Sequence, residues 1–384
     1  MSYYGGNGLG PYGTTVDWFC NPFTSPSPGK ANGKPRCGAC VGDPINAGTG
    51  NVYRREEDFH AGRWLTFNRY YNSAPSAGID TFGQHWRHSY SSHIAYVAGT
   101  GGTGTVTVTR EDGRVSTYKL LTGAWAGEPD VFDALTEQKD SNSNPTGWTL
   151  QRVDTRSTEL YDAAGHLLSI QYQDGFTTTL SYSTTTTPIT VAPGAGYLIT
   201  ITDPSQRSIQ LTYNSSGLIN HATAPDGSSH SYAYDGSGDL STVTYPDGKV
   251  LTYLYDESPN NGGASTPGLL TGILDENGAR YLSYGYNAAG KAINQQTGGI
   301  AAYAITYNGD GSADVLDPLG TSRHHAFSTV MGVPNITSVN GTCESCSAVA
   351  SWVYDFNGLL NQTTDYNGNV TTYQHDAIPS TSCW

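Results

Sequence analysis

The chain has little charge and few of the residues that favour helices. Only 14% of its 384 residues are charged, and just two are Met. Sparse charge beside many aromatics separates it from disordered chains, which show the reverse balance. Lys and Arg together number 19 against 33 Asp and Glu, a net charge of −14. Such a balance argues against nucleic acid as the main ligand, because phosphate binding needs concentrated positive charge. No run of 18 apolar residues occurs, so no membrane span is expected. The N-terminus, Met1-Ser2-Tyr3-Tyr4-Gly5-Gly6, lacks the basic and apolar regions of a classical secretory signal. A Gly-x-Ser-x-Gly elbow, a phosphate loop and a His-Glu-x-x-His motif are also missing, which removes the familiar enzyme signatures. What is abundant forms strands and turns: 47 Gly, 27 Tyr, and many Thr and Ser. An all-β fold with a partly aromatic core is expected.

Three regions follow one another. Residues 1–41 read as a Gly/Pro-rich leader that ends in Cys37-Gly38-Ala39-Cys40. Residues 42–150 read as a small antiparallel β-domain. Within it, Trp64, Thr66, Asn68 and Tyr70 share one strand face, and Leu65, Phe67, Arg69 and Tyr71 share the other. Further on, Asp112-Gly113 predicts a hairpin turn between alternating strands. The stretch 121–148, with Trp125 and Trp148, is less regular and reads as an insertion. Residues 151–384 read as a repeat array.

The repeat is a Tyr followed by Asp or Asn. It occurs at Tyr161-Asp162, Tyr213-Asn214, Tyr234-Asp235, Tyr255-Asp256, Tyr286-Asn287, Tyr307-Asn308 and Tyr354-Asp355. Several copies lie 21 residues apart (213, 234 and 255; 286 and 307), and Tyr182 and His375-Asp376 read as degenerate copies. A Gly usually sits four residues after the Tyr, as at Gly217 and Gly238, and an apolar residue two further on, as at Ile219 and Leu240. Two turns per unit leave two strands of roughly 7–8 residues, near the usual strand length. The Asp or Asn can bond backbone amides of its own turn, and the Gly supplies positive φ. Tyr232 and Tyr234 are expected to stack on equivalent rings of the next unit. No unit buries its face alone, so the units should join into one sheet. Insertions interrupt the period after Tyr182, after Tyr255 and after Phe327, the last carrying Cys343-Glu344-Ser345-Cys346.

The Tyr-Asp-x-x-Gly-x-Leu phrase at this spacing resembles the Rhs/YD-repeat family of bacterial polymorphic-toxin proteins, related to toxin-complex C proteins and teneurins. Gly42-Asp43-Pro44-Ile45, Phe67-Asn68-Arg69-Tyr70-Tyr71-Asn72 and Gly83-Gln84-His85-Trp86-Arg87-His88 look like the domain that commonly precedes the repeats. The resemblance covers roughly 42–376. It implies antiparallel hairpins wound into a spiral shell, which in larger relatives encloses a toxin released by autoproteolysis. This sequence is short, carries no variable toxin domain after the repeats, and lacks a match to the terminal core motif; Asp317-Pro318-Leu319-Gly320 reads as an ordinary turn. It therefore reads as the N-terminal part of a shell. The implied role is structural and non-enzymatic, in toxin or effector delivery or at a bacterial cell surface, and the implied location is secreted or surface-bound. Partners would be a secretion apparatus, a toxin cargo or further copies of the chain, since an incomplete spiral exposes strand edges. The alternative is an adhesin that binds glycans or proteins through its insertion loops. An autoproteolytic or hydrolytic enzyme is the remaining reading.

The cysteines are the best candidates for a site. Cys37-x-x-Cys40 and Cys343-x-x-Cys346 have the spacing of two halves of a four-cysteine zinc site. Disulfides within or between the pairs, and unligated thiols, remain open, and Cys20 and Cys383 have no evident partner. His85, His88 and His93 cluster around Trp86 and read as hydrogen-bonded packing residues, as do His324 and His325. The numerous Asp residues sit where turn geometry explains them, so neither a glycosidase carboxylate pair nor calcium loops are expected.

Overall fold

The computed structural model describes residue 23 and residues 27–35, 38–75, 80–99, 103–121, 123–299, 301–340 and 349–375. All of its regular structure is β. A 21-stranded antiparallel sheet runs from Ala134–Lys139 to Val370–Thr372, each strand paired with the next in sequence. A three-stranded sheet (Tyr53–His60, Thr66–Asn72, Trp86–His88) and a four-stranded sheet (His93–Ala98, Gly104–Thr109, Val115–Leu121, Ala124–Gly127) precede it. The expected hairpin at Asp112-Gly113 joins two strands of the second. Among the described residues, no helix is long and apolar enough to cross a membrane.

The long sheet starts at Ala134, earlier than the expected boundary near 151. The stretch 121–148 is accordingly no insertion: Ala134–Lys139 and Pro145–Arg152 form the first hairpin of the sheet. It escapes the sequence pattern because it carries no Tyr-Asp pair. Strands in the regular part are also shorter than expected, as in Leu198–Thr202 and Ser208–Tyr213. Each turn takes more of the unit than a two-residue hairpin would.

The signature phrase builds the turn and the bulge beside it. The Asp235 carboxylate accepts the amides of Ser237 and Asp239, and Gly238 adopts φ 85°. Asn214, Asn287 and Asp355 accept amides two and four residues on in the same way. Register slips at the signature Tyr, where Tyr234 pairs with Leu240 and Tyr213 with Ile219. A bulge recurring at one place in successive units bends and twists the sheet in one sense.

Each bulge is closed by the following unit. Tyr234 donates its hydroxyl to the Ile219 carbonyl at 2.7 Å, Tyr255 to Leu240 at 2.7 Å and Tyr213 to Leu198 at 2.6 Å. Tyr182, Tyr286 and Tyr307 make the same bond to Leu167, Leu270 and Ala292. In the degenerate copy, His375 Nε2 lies 2.8 Å from the Leu360 carbonyl. In place of the expected stacking of Tyr232 and Tyr234 on neighbouring units, Tyr234 delivers its hydroxyl to this ladder, and Tyr232 meets Phe82 of the N-terminal domain edge-on at 4.8 Å.

The small sheets fill the buried face of the long one. The loops around them reach it too: Trp64 packs on Phe176, and a Cβ at Gly48 would meet Pro334 and Phe327. One hydrophobic core consequently includes Phe67, Trp86, Ile201, Val243 and Ile305 together.

Candidate functional site

The alternation in Thr66–Asn72 places Leu65, Phe67, Arg69 and Tyr71 on the core face, and all are fully buried. An arginine on such a face demands a partner. Asp58, on the adjacent strand, supplies it: its oxygens accept Arg69 Nε at 2.7 Å and Nη2 at 2.9 Å. Arg69 Nη1 donates to the Tyr253 hydroxyl at 2.9 Å, and Tyr232 donates to Asp58 Oδ2 at 2.7 Å. The guanidinium lies 5.3 Å from the Trp86 ring centroid, 5.8 Å from Tyr232 and 5.7 Å from Tyr253. Burial alone would depress its pKa, but the Asp58 carboxylate overrides burial and holds it well above the usual arginine range. This paired charge clamps the N-terminal domain into the array.

A second clamp lies beside it. Tyr71 donates to the Gly268 carbonyl at 3.0 Å and accepts the Leu270 amide at 2.8 Å, and Trp86 Nε1 donates to Tyr255 at 2.8 Å. The insertion after Tyr255 is thus a docking strap for the N-terminal domain. His85, at φ 62°, places its ring nitrogens 2.7 Å from the Asn72 carbonyl and 2.9 Å from that of Pro267. Gly83 is pressed so closely on Gly238 that a Cβ there would sit 2.1 Å from its carbonyl oxygen. Asp239 borders this seam, buried, with Oδ1 lacking a hydrogen-bond partner. Burial, then Asp235 and Asp256, push its carboxyl up to about 6.

Further anchors repeat the pattern. Buried Arg54 binds Asp43, Glu56 and the Tyr284 hydroxyl. Arg152 joins Glu111 of the N-terminal domain to Glu159 of the early array, both at 3.0 Å.

His88 lies between Phe67 and Phe82, with ring centroids 5.4 Å and 5.8 Å away, and burial lowers its pKa to about 4. His93 faces Arg87 and the Ser91 carbonyl, His324 faces Asp314, and His325 faces the Arg323 carbonyl. Asp317 caps its own turn through the amides of Leu319 and Thr321. Among the described residues, no group of three His, Cys, Asp or Glu side chains is arranged to hold a metal.

Cys37, Cys343 and Cys346, like Cys20 and Cys383, lie outside the described residues. Cys40 is half-buried and donates its thiol to the Pro35 carbonyl at 3.4 Å. Gly38 lies against the array: a Cβ there would meet Ile336 and Trp352 at 3.4 Å. Those residues belong to Val333–Val339 and Val349–Tyr354, the strands that flank the insertion carrying Cys343 and Cys346.

The Arg69–Asp58 pair was no candidate on sequence. A signal for it exists, since an arginine alternates with Leu65, Phe67 and Tyr71 on a face that must be buried. The tyrosines that partner this pair, Tyr253 as acceptor from Arg69 and Tyr232 as donor to Asp58, come from strands far along the chain, and no local pattern announces them.

A family model described as a domain of unknown function, DUF6531, matches residues 42–118, and one described as teneurin YD-shell matches residues 193–266. No curated protein matches the chain. Similar solved structures include the crystal structure of TcdB2-TccC3-Cdc42, at 12% identity over 87% of this chain and 21% of that one, TM-score 0.36. The structure of TcdB2-TccC3 without its hypervariable C-terminal region gives 12% identity over 85% and 21%, TM-score 0.34. That of TcdB2-TccC3 gives 10% identity over 94% and 24%, TM-score 0.31. The chain spans about a fifth to a quarter of the length of these structures' chains.

Proposed function

We propose that this chain, which matches the teneurin YD-shell model over residues 193–266, is a YD/Rhs-repeat protein whose structural β-shell serves toxin or effector delivery, outside the producing cell. The observation that carries this reading is the use made of the signature side chains. The Tyr hydroxyls bond backbone carbonyls and the Asp and Asn side chains cap turns, so the repeat supplies a wall rather than chemistry. The protein partners of this reading are a secretion apparatus, a toxin or further copies of the chain. The test is deletion of the chain from a producing strain in competition with a susceptible one. Intoxication should fall to the level of a toxin-deleted strain; undiminished intoxication contradicts the role. Binding of the purified chain to a glycan array, abolished by substitutions in the insertion loops, would favour the adhesin reading instead.

A specific contact favours a second element. Gly38 packs on the strands that flank the insertion carrying the second cysteine pair. We propose that Cys37, Cys40, Cys343 and Cys346 join the leader to the late array through one zinc ion. Metal analysis should find about one zinc per chain, lost in Cys40→Ser. Zinc-free protein with all six thiols titratable, or with disulfides among these four cysteines, overturns it.

A further inference from the structure

Residues 83–85 of the N-terminal domain, the turn at Asp235–Asp239 and the docking strap after Tyr255 meet along one seam, and two ionisable groups in it have surroundings that call for protons. His85 is the first. Its backbone sits at φ 62°, a region costly for a residue with a side chain. That conformation holds the ring between two carbonyls: Nδ1 lies 2.7 Å from the Asn72 oxygen and Nε2 lies 2.9 Å from the Pro267 oxygen. Carbonyl oxygens only accept. A neutral imidazole donates from one nitrogen and turns a lone pair on the other carbonyl, whereas the imidazolium donates from both. The protonated ring is therefore the form that ties the end of Thr66–Asn72 to the strap.

Asp239 is the second. It is 2% exposed, and among the described residues its Oδ1 has no hydrogen-bond partner. A Cβ built on Gly268 would lie 2.9 Å from His85 Cδ2 and 3.0 Å from Asp239 Oδ1, so the ring and the carboxyl converge on one strap residue. The other charges around them are committed elsewhere. Asp235 caps its turn through the amides of Ser237 and Asp239. Asp256 accepts the amides of Gly268 and Leu269 at 2.8 Å and 3.0 Å. Glu257 is paired with Arg280, and Arg69 with Asp58. Burial holds the phenols of Tyr71, Tyr255 and Tyr286 above their ordinary range, so they stay neutral. An unpaired buried carboxylate is costly, and burial, with Asp235 and Asp256 nearby, favours the protonated form of Asp239.

We infer that this seam is a proton-operated latch: proton uptake by His85 and Asp239 seats the strap against the N-terminal domain, and proton loss releases it. The sign is the same at both groups, because each fits the closed seam best when protonated. The latch is closed in acid and loosens toward neutral pH; the share of Asp239 is lost as pH rises through about 6. The strap lies outside the strand pairing, between Val250–Tyr255 and Leu270–Leu274, so it can lift while the array stays paired.

The test is amide hydrogen exchange of the full chain from pH 5 to 7.5, corrected for the intrinsic pH dependence of exchange, beside the nitrogen chemical shifts of the His85 ring. Protection of the Asn72, Gly268 and Leu270 amides should fall about tenfold or more across that range, while Leu360–Asp365 keeps its own. The His85 ring should pass from doubly to singly protonated over the interval in which these amides lose protection. Asp239→Asn, whose side chain cannot ionise, should remove that tenfold and leave only the share of His85. Protection that does not change with pH, or that falls equally in Asp239→Asn, overturns the latch. A His85 ring that turns neutral while the strap stays protected overturns it as well. So does an equal fall at Leu360–Asp365, which would place the proton effect on the whole fold rather than on the seam.

Discussion

The Tyr234 hairpin and the Arg69 seat use polar side chains in opposite ways. In the hairpin, Asp235 bonds amides two and four residues away, and the Tyr234 hydroxyl reaches a carbonyl 15 residues back. At the seat, Arg69 and Asp58 bond Tyr253 and Tyr232, more than 170 residues away. The first set of bonds gives each unit its shape and passes it to the next. The second fixes which part of the array closes on which part of the N-terminal domain. Local polar groups thus specify curvature, and long-range ones specify registry.

The comparison breaks most sharply at Arg69. Arg69→Met leaves Asp58 buried without its cation, and removing one partner of a buried pair costs about 3–5 kcal/mol. Urea unfolding should show that loss, and the double variant Arg69→Met, Asp58→Leu should recover most of it. Full loss in the double variant would show that the aromatic contacts, not the charge pair, hold the seat.

Asp239 tests the seam with the opposite sign. Its carboxyl titrates near 6 in the fold against an ordinary value of 3.8. The folded state therefore holds this proton more tightly than the unfolded one. Its stabilising contribution is complete below about pH 3.8 and is lost as pH rises through 6. Asp239→Asn should flatten that slope and raise stability at pH 7. His88 slopes the other way: with its pKa lowered from 6.5 to about 4, its contribution is complete above 6.5 and is lost as pH falls through 4. Unfolding midpoints of the Asn variant and of His88→Gln, measured from pH 4 to 8, separate the two.

Smaller effects belong to the ladder. Tyr234→Phe removes one hydroxyl bond and should cost about 1 kcal/mol. Tyr255→Phe should cost more, because that oxygen also accepts Trp86 Nε1. Equal costs would mean that the Trp86 bond contributes nothing. The smallest change is expected for Asp247→Ala, where an exposed carboxylate bonds the Lys249 amide and lies 3.4 Å from its ammonium; the urea midpoint should stay where it is.

The legible part of this molecule is the part whose bonds are local. The 21-residue spacing, the turn-capping Asp and Asn, the positive-φ Gly and even the His375 copy all lie within a unit or its neighbour, so periodicity exposes them. The face that buries Arg69 was legible too, through its alternation with Leu65, Phe67 and Tyr71. The partners of Arg69 were not, because Tyr232 and Tyr253 resemble any other array tyrosine. The first hairpin, Ala134–Arg152, was missed since Trp148 and Leu150 fill its core positions without a Tyr-Asp pair. The docking strap after Tyr255 was legible only as an interruption, for its function lies in carbonyls offered to Tyr71 and His85.

Native-state hydrogen exchange on Arg69→Met tests the division between curvature and registry most directly. Amides of Thr66–Asn72, Ser229–Tyr234 and Val250–Tyr255 should lose protection together, while Leu360–Asp365 keeps its own. Loss confined to Thr66–Asn72, with the array strands unchanged, would contradict the claim that the buried arginine sets the closure of the shell.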